Sequence, residues 1–393
     1  MKIESVDFFY LSMPQVLDVG DGSQDALLVR VRATGGYEGW GECEASPLVS
    51  IAAAVCPMSH SACKPVLSSV LGRVIETPRD IALANEIARH NSLDLLQADH
   101  TLSGIDVALW DLLARKRQVP VYQLLGYDRA FPRTAYASQL FGDTPEQTHA
   151  AARRVAAAGF RAAKFGWGPY GRTTPQADAA QVMAAREGLG DAADLLVDAG
   201  TVWGDDVAAA LERLPALRAA RVLWLEEPFV SAALDAYATL GRHCADRPAL
   251  AAGEGSHNVH MARHLIDHGH VHYIQIDAGR VGGLTTAKQV ADYARSRGVQ
   301  YVNHTFTSHL ALSASLQPYA GVPDAALCEY PANPSPLAWQ LTRDHLTPDA
   351  QGQIRLPNTP GLGLVPDPQA IRQYLVQTEI VVNGKVLYRT PEL

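Results

Sequence analysis

Asp194-Leu195-Leu196-Val197-Asp198, Val222-Leu223-Trp224-Leu225-Glu226 and Leu250-Ala251-Ala252-Gly253-Glu254 are three short apolar runs, each delivering a carboxylate at or just past its end. Such runs read as buried strands. The acids are 28 residues apart and then 28 again, which is the length of one strand plus one helix. Outward from these three, Thr134–Ser138, Arg161–Phe165, Tyr273–Asp277, Tyr301–Asn303 and Ala326–Glu329 have the same character. Between the runs lie Ala-rich helical stretches such as Pro145–Ala158, Asp178–Gly188, Asp206–Leu214 and Leu284–Arg297. Strands alternating with helices imply βαβ units and a parallel sheet. Eight such units over about 250 residues have the size of a closed (β/α)₈ barrel. An open doubly wound sheet is the alternative, but no GxGxxG follows the first strand.

The flanks read differently. Ahead of the barrel lies a small α+β unit, with strand character at Leu27–Val31 and a turn at Gly35-Gly36. Its clearest helix is predicted from about Gly104 to Arg117, with Ile105, Ala108, Leu109, Leu112 and Leu113 at helical spacing. Ser103 is its expected N-cap and Pro120 its stop. Beyond Gly361-Leu362-Gly363, the pieces Glu379–Val382 and Val386–Tyr388 predict a hairpin about Asn383-Gly384, and this tail is expected to return to the N-terminal unit.

Composition narrows the class. The 393 residues suit two domains, one of them large. A net charge of −8, spread along the chain, provides no basic footprint for nucleic acid or an anionic membrane. Cys43, Cys56, Cys63, Cys244 and Cys328 are odd in number and lack CxxC spacing, against a disulfide framework or structural zinc. The start lacks a signal peptide's apolar stretch, and no run is long enough to span a bilayer. The expectation is a reduced, cytoplasmic protein, with homo-oligomerisation.

The chemistry follows from where the polar residues fall. Lys164, Asp198, Glu226, Glu254, Asp277, His304 and Glu329 each sit at or just past the C-terminal end of a predicted strand. In a barrel these ends converge on one mouth, where active sites lie. Any one acid taken alone could equally be the N-cap of the next helix. Three at regular spacing are better explained together. Asp198, Glu226 and Glu254 on adjacent strands would repel one another without a cation, and a hard ion with oxygen ligands, Mg²⁺, resolves the conflict. Asp277 on the neighbouring strand would orient the imidazole of His304 and raise its basicity. This chain has 14 histidines, so His304 gains weight from its strand-end position alone; His309 is its local rival. His257, His260, His264, His268, His270 and His272 read as mostly surface residues of one helix and its exit, because no Cys or acid constellation accompanies them.

Specific segments then add a resemblance. Gly39-Trp40-Gly41-Glu42, Ser103-Gly104-Ile105-Asp106 through Leu113, Pro120-Val121-Tyr122-Gln123-Leu124-Leu125-Gly126, Val197-Asp198-Ala199-Gly200, Leu225-Glu226-Glu227-Pro228, Gly253-Glu254 and Ile276-Asp277 with Arg280-Val281-Gly282-Gly283 occur in this order. Over nearly its whole length the chain resembles the mandelate racemase branch of the enolase superfamily. That resemblance implies a modified (β/α)₇β barrel over 129–360, an α+β capping domain over 1–128, and a segment 361–393 returning to the cap. It implies Mg²⁺ held by Asp198, Glu226 and Glu254, and His304 paired with Asp277 as acid/base on one face of the substrate. Glu329 would hydrogen-bond a substrate carboxylate oxygen, with Lys164 on the opposite face. One departure stands out. The branch usually has Lys-x-Lys on the second strand, the second lysine being a base; here Lys164-Phe165-Gly166 lacks it.

Removing a proton next to a carboxylate requires stabilising an enediolate, the task of Mg²⁺ as Lewis acid with Lys164 and Glu329 helping. That enolase-type sites combine a Lys or His base with Mg²⁺ is a general pattern. With one strong base, the reading is β-elimination of water from an aldonic or aldaric sugar acid, giving a 2-keto-3-deoxy acid. The alternatives are a racemase or epimerase of a 2-hydroxy acid, with Lys164 as second base, and a non-catalytic sugar-acid binding protein. Substrate choice would lie in the cap loops Leu17–Asp25 and Glu44–Val49, where Asp18, Asp21 and Asp25 either bond sugar hydroxyls or form a solvated acidic loop. Trp167 is expected to contact substrate; Tyr170 either lines the pocket or packs beneath the cap.

Overall fold

The structure is a computed structural model and describes residues 1–244 and 247–393. Strands β1 (Ile3–Ser12), β2 (Asp25–Ala33) and β3 (Tyr37–Cys43) form an antiparallel meander in that order. Helices α1 (Pro47–Val55), α2 (Pro78–Asn91) and α3 (Ala98–Arg117) complete this N-terminal unit.

The sheet rests on α3 by direct backbone contact. A Cβ on Gly41 would collide with the carbonyl oxygen of Gly104 and lie 2.7 Å from the amide nitrogen of Ala108, so the strand can approach the helix only without a side chain there. Between the glycines, the Trp40 amide donates to Asp111 at 2.9 Å and the indole packs on Phe9. The opposite side of α3 faces the barrel, where Asp106 accepts the amide of Thr285 at 3.0 Å and Trp110 donates to the Thr285 hydroxyl at 2.9 Å. The helix is buried from Ala98 to Ala114, Asp99 aside.

This corrects the sequence expectation for α3, which begins at Ala98 rather than near Gly104. Ser103 is no cap: its hydroxyl donates to the Asp99 carbonyl and accepts the amide of Gly282. A helix covered on all sides carries polar residues in its first turns as docking groups, so its apolar stripe marks only part of its length.

Eight parallel strands make the barrel: β4 (Arg133–Leu140), β5 (Ala162–Gly166), β6 (Asp194–Asp198), β7 (Trp224–Glu226), β8 (Ala249–Ala252), β9 (Tyr273–Ile276), β10 (Gln300–Asn303) and β11 (Leu327–Pro331). The hydrogen-bonded order runs β10-β9-β8-β7-β6-β5-β4-β11. Among the described residues no ladder joins β10 to β11. The Asn303 side chain spans that seam, accepting the Glu329 amide at 3.0 Å and donating to the Glu329 carbonyl at 3.3 Å. Helices follow the first seven strands; directly after β11 comes the short Pro336–Gln340 turn of helix, and Pro368–Tyr374 lies further on in the returning tail. Tyr136, Ala162, Leu196, Trp224, Ala249, Ala251, Val302 and Leu327 fill the barrel interior as a buried apolar cluster.

After the barrel the chain runs back over the N-terminal unit. The Leu362 amide donates to Asp111, the Val376 amide to the Tyr10 carbonyl, and the Tyr388 hydroxyl to the Phe8 carbonyl. Glu379–Val382 and Lys385–Arg389 pair as a hairpin, with Asn383 and Gly384 both at positive φ as a type I′ turn requires. Among the described residues, no helix is long and apolar enough to cross a membrane.

Gly41→Ala is the sharpest probe of this docking. It should destabilise the protein by about 2–3 kcal/mol or more, as forced overpacking does, read from the midpoint of chemical denaturation. An unchanged midpoint would contradict the close approach of β3 to α3.

Candidate active site

Strand residues two apart point the same way. Ala162 and Lys164, Leu196 and Asp198, Trp224 and Glu226, Val302 and His304, Leu327 and Glu329 therefore stack in pairs along the barrel axis. The first of each pair belongs to the apolar interior cluster, and the second forms a charged layer above it. Parallel pairing sets Lys164 two residues before Gly166, which faces Asp198, which in turn faces Glu226. Glu254 and Asp277 come just past β8 and β9. A cavity of about 450 Å³ opens over this layer, lined by Lys164, Asp198, Glu254, Arg280 and His304 from the barrel and by Val19–Gly22 and Glu44 from the cap.

Buried Lys164 is the hub. Its ammonium lies 2.5 Å from Glu226, 2.8 Å from Glu329 and 3.5 Å from Asp198. Burial pulls it toward neutrality, but Glu226, Glu329 and Asp198 outweigh that and hold its pKa well above the ordinary lysine value. Glu329 also accepts the amide of Thr305 at 2.8 Å, and the Trp224 indole donates to Glu226 at 2.9 Å. Across the mouth, His304 bonds Asp277 through Nδ1 at 2.7 Å and meets Glu254 through Nε2 at 3.0 Å. Burial lowers the imidazole's pKa, yet Glu254, Glu329 and the Asp277 bond raise it to about 10. Asp277 is fixed in turn by the Gly279 amide at 2.7 Å.

Among the described residues, no three His, Cys, Asp or Glu side chains converge as a ready metal cage. Asp198, Glu226 and Glu254 are brought together as strand ends, while their tips turn to cations of the protein. Glu226 faces Lys164, and Glu254 faces His304 and Arg280. The physical reason is that bare carboxylates repel at low dielectric and take the nearest positive partner. The donor set nevertheless fits a hard divalent ion. It is all oxygen, comes from three adjacent strands and is in excess: burial pushes Glu226 up to about 8, with Asp198, Glu329 and Glu254 adding to the rise against Lys164. Buried Glu227 is raised further by its burial and by Glu254, Asp198 and Glu226.

The remaining expectations divide. Trp167 lines the cavity at positive φ, 41% exposed, and its ring packs on Gly20 of the cap loop. Asp18 is exposed and is not among the lining residues; the loop reaches the cavity through Val19–Gly22. Asp21 takes that place because its carboxylate caps the turn at Ser23, accepting the Ser23 amide at 2.8 Å and hydroxyl at 2.6 Å. Tyr170 is buried beneath, stacked on Phe141 at 5.1 Å. His309, the rival to His304, starts a helix and accepts the Leu346 amide, away from the cavity.

Three groups were missed from sequence. Arg280 grips Glu44 of the cap through Nε at 2.9 Å and Nη2 at 2.7 Å, an ion pair across 236 residues that spacing cannot reveal. Glu227 doubles the acid of β7. Glu42, within Gly39-Trp40-Gly41-Glu42, accepts the Ser308 hydroxyl, while its other oxygen is buried without a hydrogen-bond partner. Ser308 caps the helix that follows the His304 loop, so Glu42 ties the cap to that loop. The only sequence signal for Glu42 was its place in the quoted motif.

Comparison with known proteins agrees with this geometry. Residues 147–370 match the enolase C-terminal domain-like family, and residues 11–126 match the mandelate racemase / muconate lactonizing enzyme N-terminal domain. The chain belongs to the enolase superfamily. The 3,6-anhydro-alpha-L-galactonate cycloisomerase of Streptomyces coelicolor is 30% identical over 281 residues, covering 69% of this chain and 70% of the relative. The D-galactonate dehydratase of Variovorax paradoxus is 29% identical over 279 residues, covering 69% and 72%. A solved structure described as a predicted mandelate racemase from Rhodobacter sphaeroides shares 59% identity at a TM-score of 0.95, covering 100% of both chains. A racemase from Streptomyces coelicolor with bound magnesium shares the fold at a TM-score of 0.81, with 24% identity over 95% of this chain and 100% of that one.

Burial raises Glu42 from 4.5 to about 7, against bonds from Ser308 and Thr307 that lower it. The folded carboxyl therefore keeps its proton to a higher pH than the unfolded chain does. It favours folding most fully below about 4.5, and that contribution is lost as the pH climbs to about 7. Glu42→Gln should flatten the decline in melting temperature between pH 5 and pH 7, seen by calorimetry at closely spaced pH values. A decline identical to the parent's would show that Glu42 is ionised in the fold.

Proposed function

We propose that this protein is a Mg²⁺-dependent dehydratase of aldonic or aldaric sugar acids that forms a 2-keto-3-deoxy acid. The observation that carries the reading is that the mouth offers a single base. Position 166, where the branch places its second lysine, is glycine, and a Cβ there would lie 2.7 Å from the Asp198 Cβ. The one lysine present, Lys164, is held as an ammonium by three carboxylates. Among the described residues at the mouth, His304, oriented by Asp277, is the group that would take a proton from substrate once Glu254 turns away from its Nε2. The curated relatives, a sugar-acid dehydratase and a sugar-acid cycloisomerase, support the same family of substrates.

Lys164 receives the substrate carboxylate on one side of the cavity, and Glu329, carrying a proton, would donate a hydrogen bond to one of its oxygens. Asp277 keeps the Nδ1 proton of His304 in place, leaving Nε2 to accept the proton from C2. The electron pair of that C–H bond becomes the C2–C3 double bond as the C3–O bond breaks. The imidazolium of His304 returns its proton to the departing hydroxyl, which leaves as water, and the enol product tautomerises to the 2-keto acid. Asp198, Glu226 and Glu254 would hold Mg²⁺, which when bound supplies Lewis-acid stabilisation of the charge that builds on the carboxylate. One water is released per substrate and no redox partner is needed.

The test is a sugar-acid library assayed for 2-keto acid formation with Mg²⁺ and after exhaustive chelation. Activity should require the metal, and Glu226→Gln should abolish it while leaving the fold intact. His304→Asn should lose about 10²–10⁴-fold or more in turnover and in α-proton exchange in D₂O. Full activity in chelator would sink the metal assignment. If His304→Asn exchanged one epimer at the native rate while Lys164→Ala did not, Lys164 would be a base and racemisation would displace dehydration.

A further inference from the structure

We infer that the substrate's far end is uncharged, so that the enzyme takes monocarboxylic polyhydroxy acids and discriminates against diacids. This deepens the proposed dehydratase reading and rests on it for which end of the substrate is near Lys164. Each basic side chain lining the cavity already has carboxylate partners in the protein. Lys164, among Glu226, Glu329 and Asp198, stands at the end of the cavity assigned to the reacting carboxylate, and His304 serves Asp277 and Glu254. Arg280 is the cation nearest the cap, and both Nε and Nη2 of its guanidinium go to the same oxygen of Glu44. Its third nitrogen donates to the Glu254 carbonyl at 3.2 Å and lies 3.5 Å from the Glu254 carboxylate.

What the cap adds to the lining is acid without base: Asp21 and Glu44, with the apolar and small Val19, Gly20 and Gly22. Behind them Asp25 is raised to about 6 by burial and by Glu44, which marks the negative character of this side. A second carboxylate brought here would face Asp21 and Glu44 with Arg280 already occupied, and like charges at close range are strongly disfavoured. Alcohol hydroxyls, by contrast, donate to carboxylates directly. Arg280 is thus a strut between cap and barrel rather than an anchor for a terminal carboxylate.

The experiment compares aldonate and aldarate pairs of matched C2–C5 configuration, with Mg²⁺ present. The better aldonate should exceed its aldarate partner about tenfold or more in kcat/KM. Glu44→Gln, which releases Arg280, should shrink that ratio by a similar factor; the ratio is internal to each variant and so is insensitive to a general loss of activity. Aldarates processed as well as aldonates would overturn the inference while leaving the dehydratase reading intact, as would a ratio that Glu44→Gln does not move. A terminal amino analogue preferred over the aldonate would also overturn it. If no sugar acid is dehydrated, the dehydratase reading fails by itself, and the tail is judged by calorimetric titration of the same pairs. Tighter aldonate binding then supports the uncharged tail, and equal, weaker or wholly absent aldonate binding relative to the aldarate rejects it.

Discussion

At the centre of the barrel mouth, one ammonium group is surrounded by three carboxylates. Lys164 has almost no contact with water, and a lone charge in such a place would be neutralised or expelled. It stays charged because Glu226, Glu329 and Asp198 arrive from three other strands, and they tolerate one another because it is there. The arrangement depends on strand register. A shift by one residue in β5 would turn Lys164 outward and leave three buried acids facing one another. The apolar layer beneath, with Trp224 packed edge-on against Tyr136 at 5.4 Å, holds that register by filling the barrel.

Polar contacts fasten the cap to the same layer, beside an apolar core that is continuous from cap to barrel. Glu44 grips Arg280, whose third nitrogen reaches Glu254; the Glu44 amide bonds the Gly279 carbonyl, beside Asp277. Glu42 holds Ser308, four residues beyond His304. These straps from the cap end within a few residues of a charged group at the mouth.

Much of this was legible in the sequence, for a definite reason. Strand ends in a barrel recur at one strand-helix unit, so the spacing of Asp198, Glu226 and Glu254 located them at one mouth, and the run ending at His304 separated it from His309. What spacing could not supply is where a side chain turns. The acids' tips turn to the cations beside them, Glu226 to Lys164 and Glu254 to His304 and Arg280. Nor could spacing reveal pairs between distant segments, such as Arg280 with Glu44 or Asn303 across the β10–β11 seam. In the cap loop, Asp18 and Asp21 carry the same side chain three residues apart. Only the turn capped by Asp21 decides which reaches the cavity. The start of α3 was obscured because both sides of that helix are covered, and periodicity reports one-sided burial.

Gly166 connects these threads. It is adjacent on the ladder to Asp198, and a Cβ at this position would lie 2.7 Å from the Asp198 Cβ, which leaves no room for a lysine while the acid keeps its place. A second base at this position and the present seat of Asp198 therefore exclude one another, short of a backbone shift that would disturb the ladder carrying Lys164. With the second base removed, Lys164 has no neighbouring ammonium to press it toward neutrality, and the three carboxylates fix it as a cation. Glycine at 166 thus goes with two features: no second lysine two residues beyond Lys164, and a Lys164 held as a cation by its three carboxylates. Two-sided proton transfer at C2 requires reversing both. The proposed elimination, in which His304 both takes the proton at C2 and returns it to the leaving oxygen, requires neither, and this asymmetry favours the proposed dehydration over racemisation at this mouth.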